Sequence, residues 1–324
     1  MSPEASHDHP SGNTTATDRT MLLDTAAMYF RAFYGVPDTV KAPDGSPINA
    51  VRGLLDAIAK LVTTYRPTRL IACWDDDWRP AWRVDLIPSY KTHRVEALVA
   101  TGPDVEEVPD LLSPQIPVIV EALTALGIPI VGAAGYEADD VIGTLATLAI
   151  GPVDVVTSDR DLFQLVDDAR GIRIVNTAKG MSNIELVTED VIRQRYGISA
   201  AQYADFATLR GDPSDGLPGV AGIGEKTAAT LLGEYQDLEG LVAAAADPSS
   251  GLTKSQRAKI DAAADYLLVA PRVVKVARDI DLPEIDGRLK GVDDSARKAL
   301  GALAERWGLG SSADRILTAL DGVV

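Results

Sequence analysis

The stretch that most restricts the fold of this chain is GYEADD at 135–140, which places three carboxylates within four residues. An apolar run at 128–131 precedes it and a stretch with helical periodicity at 141–150 follows, so the acids lie where a strand passes into a helix. In α/β folds this position borders the active site. Acidic residues also cap helices and offset the helix dipole. Three neighbouring carboxylates repel one another and require shifted pKa values or bound cations, so this stretch alone leaves capping and a cation site open.

Length and composition indicate an ordinary globular protein. The chain has 324 residues, 46% hydrophobic and 24% charged, which is enough for one large or two modest domains. No apolar run has the length that crosses a bilayer. The polar segment 1–19 is predicted to be a disordered leader rather than a secretory signal. The single cysteine, Cys73, excludes an internal disulfide and indicates a reducing compartment, so we expect a cytoplasmic protein.

The charge of the chain at first argues against a nucleic-acid partner. The formal net charge is -16, whereas proteins that grip phosphates generally carry a basic footprint. Net charge misleads, however, where acids are concentrated to hold metal. Three histidines and one cysteine argue against a zinc site of imidazole or thiolate ligands.

Acidic residues recur at the ends of predicted strands. The run 20–23 ends on Asp24, the run 70–74 ends on Asp75, and the run 153–157 is followed by Asp159 and Asp161. Alternating strands and helices predict an α/β fold with a mainly parallel sheet and helices on both faces, closed at one edge by a hairpin of 172–176 and 184–187. The carboxyl ends of parallel strands converge. We therefore expect Asp24, Asp75, Glu137 and Asp159 to share one cleft.

Two further segments suggest nucleic-acid contacts. The stretch 78–112 mixes aromatic and basic residues, which suits a path for a single strand but also a solvated surface loop. After two acids at Asp212 and Asp215, a turn with three glycines opens a helix, as in a helix-hairpin-helix that binds a DNA backbone. Walker spacing and a preceding strand are both absent, so a nucleotide-binding loop is not predicted.

Helical periodicity is clearest in a few other segments. Helices are predicted over 49–65, with Asn49 as its cap, and over 113–126, 188–196, 199–209, 231–246, 255–268 and 296–307.

Nine carboxylates are candidates for one metal-binding cleft. They are Asp24, Asp75, Glu137, Asp139, Asp140, Asp159, Asp161, Asp212 and Asp215. Hard oxygen ligands select Mg²⁺ or Mn²⁺. Two such ions about 3.5–4 Å apart activate a water and stabilise the leaving oxygen in phosphodiester cleavage. Nearby Lys and Arg residues would orient the phosphate.

The order and spacing of eight motifs resemble those of the bacterial 5'-nuclease family, which includes the 5'-to-3' exonuclease domain of DNA polymerase I and stand-alone flap endonucleases. The motifs are LLD at Asp24, the aromatic-rich segment RAFY at Arg31, WD at Asp75, YKxxR at 90–94, GYEADD at 135–140, TSDRD at 157–161, GDPSDG at 211–216 and GVAGIGEKTA at 219–228. They cover the chain from about Thr20 to the C-terminal helices. No polymerase sequence follows, so the resemblance is to the free-standing type.

The resemblance implies a role for each matched residue. Metal site one would comprise Asp24, Asp75, Glu137 and Asp139, with Asp140 contributing, and metal site two Asp159, Asp161, Asp212 and Asp215. Lys91 and Arg94 would act from a helical arch at about 78–112 that a 5' strand threads, with Arg83 near the phosphate. DNA would be contacted by Arg31, Tyr90, Gly219, Gly222, Gly224, Lys226 and Thr227, with K⁺ bound by carbonyl groups of the glycine turn.

The resemblance also implies how the chain is organised. It divides into a PIN-like nuclease core at 20–187 and a helical DNA-binding region at 188–324, with a helix-hairpin-helix at about 205–233. The expected partner of the monomer is DNA with a 5' end or 5' flap, or an RNA–DNA primer junction, in replication and repair. Exonuclease or flap preference, and Mg²⁺ or Mn²⁺, stay open.

Three departures and two other functions qualify the resemblance. Thr25 and Gly216 stand where glycine and asparagine are usual, and Asp76 beside Asp75 is a competing ligand. A catalytically silent DNA-binding protein would keep the fold, but has no reason to keep repelling carboxylates. A nuclease acting on RNA would generally be shorter and lack the glycine turn.

Overall fold

A computed structural model describes residues 18–99 and 102–323. Its strands are β1 (Thr20–Asp24), β2 (Arg69–Cys73), β3 (Val95–Ala97), β4 (Val105–Glu106), β5 (Ile130–Val131), β6 (Val153–Thr157), β7 (Ile172–Asn176) and β8 (Glu185–Val187). Six of them form one sheet in the order β5-β2-β1-β6-β7-β8, parallel except for β8. This confirms the predicted parallel sheet and its closing hairpin.

Helices cover both faces of this sheet and form most of the second half of the chain. They are α1 (Thr25–Gly35), α2 (Asn49–Tyr65), α3 (Ala81–Leu86), α4 (Gln115–Ala125), α5 (Ala138–Leu148), α6 (Glu189–Tyr196), α7 (Tyr203–Arg210), α8 (Glu225–Tyr235), α9 (Leu238–Ala246), α10 (Lys254–Ala262), α11 (Ala264–Val274), α12 (Asp294–Trp307) and α13 (Ser311–Asp321). No helix among the described residues is both long and apolar enough to span a bilayer.

The central strands alternate between two apolar cores, one on each face of the sheet. In β1, Leu22 belongs to the core that includes α5, whereas Met21 and Leu23 belong to the core that includes α2. Successive side chains of a strand point to opposite faces, so a strand buried on both sides reads as a continuous apolar run. Because β1, β2 and β6 are parallel, their last residues lie at the same edge of the sheet.

The predicted cap of α2 is wrong. The side-chain amide of Asn49 donates to the carbonyl groups of Phe33 and Val36, at distances of 2.8 and 2.9 Å, and so ties α2 to the end of α1. The side-chain oxygen Oε1 of Gln115 instead accepts from the backbone N–H of Ala50, at 2.9 Å. A residue from α4 therefore satisfies the start of α2, which local sequence could not reveal.

The segment predicted as a helical arch is only partly helical. Among its described residues, α3 and a single 3₁₀ turn at Thr92–Arg94 are followed by the antiparallel pair β3 and β4. Lys91 has a left-handed backbone (φ 48°), and prolines interrupt the segment at Pro80, Pro88 and Pro109. Proline removes a backbone donor and restricts the preceding residue, which disfavours a continuous helix.

The C-terminal helices differ from the predicted ones in two places. Two helices replace the one predicted over 231–246, because Gln236 is left-handed (φ 72°) and Asp237 caps α9 through the N–H of Gly240. Helices α12 and α13 pack against α2 and α4 of the N-terminal half, and α13 was not predicted. Of the predicted leader, residues 1–17 lie outside the described residues, while Arg19 is ion-paired to Asp154 at 2.6 Å.

Candidate active site

An acidic cavity of about 330 Å³ opens where β1, β2 and β6 end and α5 begins. Six of the nine predicted carboxylates line it: Asp24, Asp75, Glu137, Asp139, Asp159 and Asp212. Lys91 and Arg94 line the same cavity. The convergence predicted from the strand ends is therefore confirmed. The cavity is polar, and its lining brings Lys91, Arg94 and Arg160 together with these six carboxylates from five segments of the chain.

Two carboxylates predicted for metal site one also accept hydrogen bonds from backbone N–H groups at the start of a helix. Asp24 accepts from the N–H of Ala27 at 3.1 Å and from the hydroxyl of Thr157 at 2.6 Å. Asp75 accepts from the N–H of Ala138 at 2.8 Å, across the start of α5. The same carboxylates therefore bind helix starts and cluster at the cavity. Burial, with a contribution from the charge of Asp75, raises the pKa of Asp24 to about 7.

Both oxygens of Glu137 already have partners. Its Oε1 accepts from the Tyr90 hydroxyl at 2.7 Å and from Arg83 at 3.0 Å, and its Oε2 is ion-paired to the Lys91 ammonium. Lys91 is buried, and its pKa is held well above its usual range by Glu137 against the opposing effect of burial. Tyr90 is only 4% exposed. It therefore has no face free for a base, and this corrects its assignment as a DNA contact.

Arg83 and Asp140 form a buried pair behind the cavity. The two guanidinium nitrogens of Arg83 donate to the two Asp140 oxygens, each at 2.7 Å. Arg83 also donates to the carbonyl of Val273, and Asp140 accepts from the N–H of Ala277 at 2.8 Å. Neither side chain lines the cavity. This corrects two predictions, because Arg83 cannot reach a phosphate from here and Asp140 has no oxygen free for a metal.

The carboxylates predicted for metal site two lie in or beside two 3₁₀ turns. These turns are Asp161–Leu165, after β6, and Pro213–Asp215, after α7. Asp159 caps the turn by accepting from the N–H of Asp161 at 2.9 Å, and Asp215 accepts from Arg94 at 3.0 Å. Burial, reinforced by Asp159, Asp215 and Asp212, raises the pKa of Asp161 well above its usual range. Its Oδ1 is buried and has no hydrogen-bond partner. A buried carboxylate oxygen without a donor is costly unless a cation binds it.

The donor set fits a hard divalent cation. Every acidic side chain on the cavity offers oxygen, whereas Asp161 and Asp215 do not line it. The Oδ1 of Asp161 is buried without a hydrogen-bond partner. Within the described ranges, no three Asp, Glu, His or Cys side chains are arranged to hold a metal as they stand. The contacts explain this, because Lys91, Thr157 and Arg94 hold carboxylates that a metal would require. Metal binding would therefore require these side chains to exchange partners.

The loop with Asp212 and Asp215 is fixed by backbone contacts to the Lys91 segment. The N–H of Lys91 donates to the carbonyl of Asp215 at 3.0 Å. At Gly216 (φ 70°), an added Cβ would lie 2.1 Å from the carbonyl oxygen of Ser89. A side chain there would force the two segments apart. This accounts for Gly216 in place of the usual asparagine.

The remaining predicted residues lie outside the cavity. Arg31 donates to the carbonyl of Ala178 at 2.7 Å. Asp76 is exposed, lies against the Cα of Gly132, and does not line the cavity, so it is not placed to compete with Asp75. The glycine turn (Gly219, Gly222, Gly224) joins α7 to α8, with Lys226 exposed and Thr227 half-buried at the start of α8.

Sequence reasoning missed two residues of this site. Glu106 on β4 lines the cavity, and burial raises its pKa. Its position depends on the pairing of β3 with β4, and no sequence motif predicts it. Thr157 holds Asp24, and its place at the end of β6 beside β1 was the available signal.

The raised pKa of Asp24 makes the stability of the metal-free protein pH-dependent. An unfolded Asp titrates near 3.9, so the folded state binds more protons between that value and about pH 7. The stabilisation is fully present below the unfolded pKa and is lost as pH rises through the folded one. We expect the metal-free protein to lose on the order of 1 kcal/mol between about pH 6 and pH 8 from this group. Urea unfolding in EDTA measures it.

Magnesium should reverse that trend, because ligands must be deprotonated to bind metal. The matched variant is Asp24→Asn, which should flatten the metal-free profile. If the metal-free protein were more stable at about pH 8 than at pH 6, the assignment of a raised pKa to Asp24 would be wrong.

Comparison with known proteins gives a consistent result. The family model described as 5'-3' exonuclease, N-terminal resolvase-like domain, matches residues 19–197, and the model described as 5'-3' exonuclease, C-terminal SAM fold, matches residues 198–294. A 5'-3' exonuclease of Streptomyces coelicolor is 62% identical over 93% of this chain and 99% of that protein. A 5'-3' exonuclease of Mycobacterium tuberculosis is 50% identical over 93% of this chain and 97% of that protein.

The fold also matches solved structures. A bacteriophage T5 flap endonuclease in complex with DNA and metal ions superposes with a TM-score of 0.60, at 16% identity, over 94% of this chain and 99% of that one. At this identity the likeness concerns the fold.

Proposed function

The chain belongs to the 5'-3' exonuclease family, and on that premise we propose that it hydrolyses DNA phosphodiester bonds near 5' ends and at the base of 5' flaps, with divalent cations held in the acidic cavity. The observation that carries the proposal is the meeting of six carboxylates, Lys91 and Arg94 in one cavity at the carboxyl edge of the sheet. A cavity of this charge repels a phosphate backbone unless cations bind there. The solved T5 relative carries both DNA and metal ions.

We propose that these carboxylates hold two metal ions. Metal site one would comprise Asp24, Asp75, Glu137 and Asp139, and metal site two Asp159, Asp161, Asp212 and Asp215. Divalent ions bound there would supply a water of lowered pKa and neutralise charge on the phosphate oxygens. Oxygen ligands suit both Mg²⁺ and Mn²⁺. Asp140 is left out of the proposal because, unlike Glu137, it does not line the cavity and is held behind it by Arg83.

Lys91 and Arg94 are proposed to orient the phosphate. Each now neutralises a carboxylate, Glu137 and Asp215 respectively, at the wall of the cavity. A phosphate that enters the cavity competes with those carboxylates for the two cations. The exchange places positive charge where the leaving oxygen develops negative charge. Lys91 contributes a point charge, whereas Arg94 can donate two parallel hydrogen bonds.

The remaining proposals concern the DNA partner, further substrates and the cellular location. We propose that α7, the glycine turn and α8 bind the backbone of the downstream duplex, with the enzyme acting as a monomer in the bacterial cytoplasm on nucleoid DNA. RNA–DNA primer junctions in replication and repair are proposed as further substrates. The division at residue 188 stays a prediction, and α12 and α13 pack on the nuclease side of it.

A cleavage assay with a 5'-labelled flap duplex tests the proposed function. Wild-type protein should cut near the junction with Mg²⁺ or Mn²⁺ and should not cut in EDTA. Asp159→Ala and Asp159→Asn should both lose activity, because the second keeps the cap on the N–H of Asp161 but removes the charge. Asp38→Ala removes an exposed carboxylate that does not line the cavity, and this variant should cut like wild type. Equal cutting in EDTA, or by both Asp159 variants, would exclude the proposed mechanism.

A further inference from the structure

The end of α11 and the chain just beyond it are hydrogen-bonded to three other parts of the molecule. The carbonyl of Val273 accepts from Arg83 of α3 at 3.1 Å, and the N–H of Ala277 donates to Asp140 of α5 at 2.8 Å. The third partner is Gln164, in the 3₁₀ turn that follows β6. One short stretch of backbone therefore joins α3, α5 and that turn.

The side-chain amide of Gln164 is buried, and its nitrogen and oxygen both have partners. The nitrogen donates to the carbonyl groups of Asp161 and Val274, at 2.9 and 3.0 Å, and the oxygen accepts from the N–H of Val276 at 3.1 Å. Gln164 is only 6% exposed. A flipped amide would turn its oxygen toward two carbonyl oxygens, so the hydrogen bonds select one orientation. Gln164 thus connects the turn after β6 to the backbone beyond α11.

The turn needs such a connection because its carboxylates lie beyond the end of a strand. Strand β6 ends at Thr157, whereas Asp159 and Asp161 follow it in the loop and the turn. Asp159 lines the cavity and accepts from the N–H of Asp161 at 2.9 Å. Gln164 binds the carbonyl of the same Asp161. The two sides of the Asp161 backbone are therefore held by Asp159 and by Gln164.

The stretch beyond α11 is also packed tightly against α5. The hydroxyl of Thr144 donates to the carbonyl of Ala277 at 3.3 Å. An added Cβ at Gly143 would lie only 2.5 Å from that carbonyl oxygen, so the two backbones are in direct contact. Asp139, in the first turn of α5, lines the cavity. The helix that carries Asp139 and the turn that carries Asp161 are thus held by the same stretch.

Resting on the proposed function, we propose that Gln164 is a positioning residue for metal site two. It binds the turn with Asp159 and Asp161 to segment 273–277, which is bound in turn to α5, and so fixes one group of carboxylates relative to the other. Residues that hold metal ligands in place control metal affinity without contacting the ion. Gln164 does not line the cavity, so it contacts neither metal nor DNA there.

The test measures metal binding to the full chain in the absence of DNA. Mn²⁺ is titrated into the protein, and the free ion is quantified by electron paramagnetic resonance. Wild-type protein should bind two ions. Gln164→Met keeps the length of the side chain but makes none of the three hydrogen bonds, and it should bind one of the two ions about tenfold more weakly, as expected for a residue that supports a ligand. The affinity for the other ion should stay within about twofold of wild type.

The flap-cleavage assay gives a second readout. Gln164→Met should require about tenfold more Mn²⁺ for half-maximal cleavage, whereas KM for the duplex should not change. Gln164→Asn retains an amide on a shorter side chain, so it should show the same loss to a smaller extent. If Gln164→Met does not fold, as judged by circular dichroism, Gln164→Asn provides the test.

Thr144→Val is the matched control, because it removes a buried hydrogen bond from α5 to the same segment without touching the turn after β6. It should lower the melting temperature but bind both Mn²⁺ ions like wild type. The Asp159→Asn background locates the effect. There, Gln164→Met should not weaken Mn²⁺ binding further, because the ion that Gln164 supports has already lost a ligand.

Three results would overturn the inference and leave the proposed function intact. They are wild-type Mn²⁺ binding by both Gln164 variants, an equal loss of Mn²⁺ affinity in Thr144→Val, and an additive loss in the Asp159→Asn background. Wild-type protein that binds no Mn²⁺ and cuts no flap would overturn the proposed function together with the inference.

Discussion

Asp161→Asn is expected to lower the rate of flap cleavage about 10³-fold while raising the melting temperature of the metal-free protein. The rate loss corresponds to about 4 kcal/mol of transition-state stabilisation, which is within what a metal ion supplies. The stability gain follows from the surroundings of the carboxylate. Asp161 is buried beside Asp159, Asp212 and Asp215, and its Oδ1 has no partner. A neutral amide of the same shape removes that repulsion.

The opposite signs of the two effects make the experiment selective. A residue that only supports the fold would lose activity and stability together when it is changed. Melting is followed by circular dichroism in EDTA near pH 8, where we expect a rise of about 2 °C or more. Added Mg²⁺ should stabilise wild-type protein more than Asp161→Asn, because the variant lacks a ligand.

Asp76→Asn is the matched control for Asp161→Asn. Asp76 is exposed, lies against Gly132 and does not line the cavity. Its replacement should leave cleavage and metal stabilisation unchanged. Full activity of Asp161→Asn, or a fall in its metal-free melting temperature, would contradict the role given to Asp161.

The features that could be predicted are those that a parallel sheet imposes. Once 20–23, 70–74 and 153–157 are identified as neighbouring strands, the rule that carboxyl ends converge places Asp24, Asp75 and Asp159 together. The predicted strands agree with β1, β2 and β6, and the acids do line one cavity. No packing detail was required for that step.

The features that could not be predicted depend on contacts between distant segments. Gln115 rather than Asn49 satisfies the start of α2, and Glu106 reaches the cavity only because β3 pairs with β4. Arg83 and Tyr90 stand in the stretch 78–112, whose mixture of aromatic and basic residues also suits contact with a phosphate or a base. Their burial depends on α11, which packs over α3 from the far end of the chain. The residue types indicated a charged site, but they could not show which charged side chains line the cavity and which are buried behind it.

Arg83→Met is expected to destabilise the metal-free protein by about 3–5 kcal/mol, the effect of removing one partner from a buried ion pair. The change leaves Asp140 and Glu137 buried without their shared cation. It also frees the carbonyl of Val273, so the end of α11 loses a contact to α3. Urea unfolding in EDTA measures the effect. Arg83→Lys should recover only part of it, because an ammonium cannot make the paired contacts to Asp140.

Activity should fall as well, although Arg83 touches no substrate. Glu137 is held by three donors, and without Arg83 the carboxylate is free to turn away from the cavity. We expect kcat for cleavage to fall at least about tenfold while KM for the duplex changes little, since none of the hydrogen-bond partners of Arg83 lies in the glycine turn. Raising the Mg²⁺ concentration should recover part of kcat, which a simple loss of folded protein would not show.

Arg193→Met provides the comparison for Arg83→Met, because Arg193 forms ion pairs with Glu189 and Asp190 on the surface of α6. An exposed pair contributes about 0–1 kcal/mol, so this variant should unfold almost like wild type. A double-mutant cycle of Arg83→Met with Asp140→Asn then isolates the pair, and the second change should cost much less in the Arg83→Met background than alone. Additive effects would mean that the two side chains act independently, and the buried pair would then not be what holds Glu137 at the cavity wall.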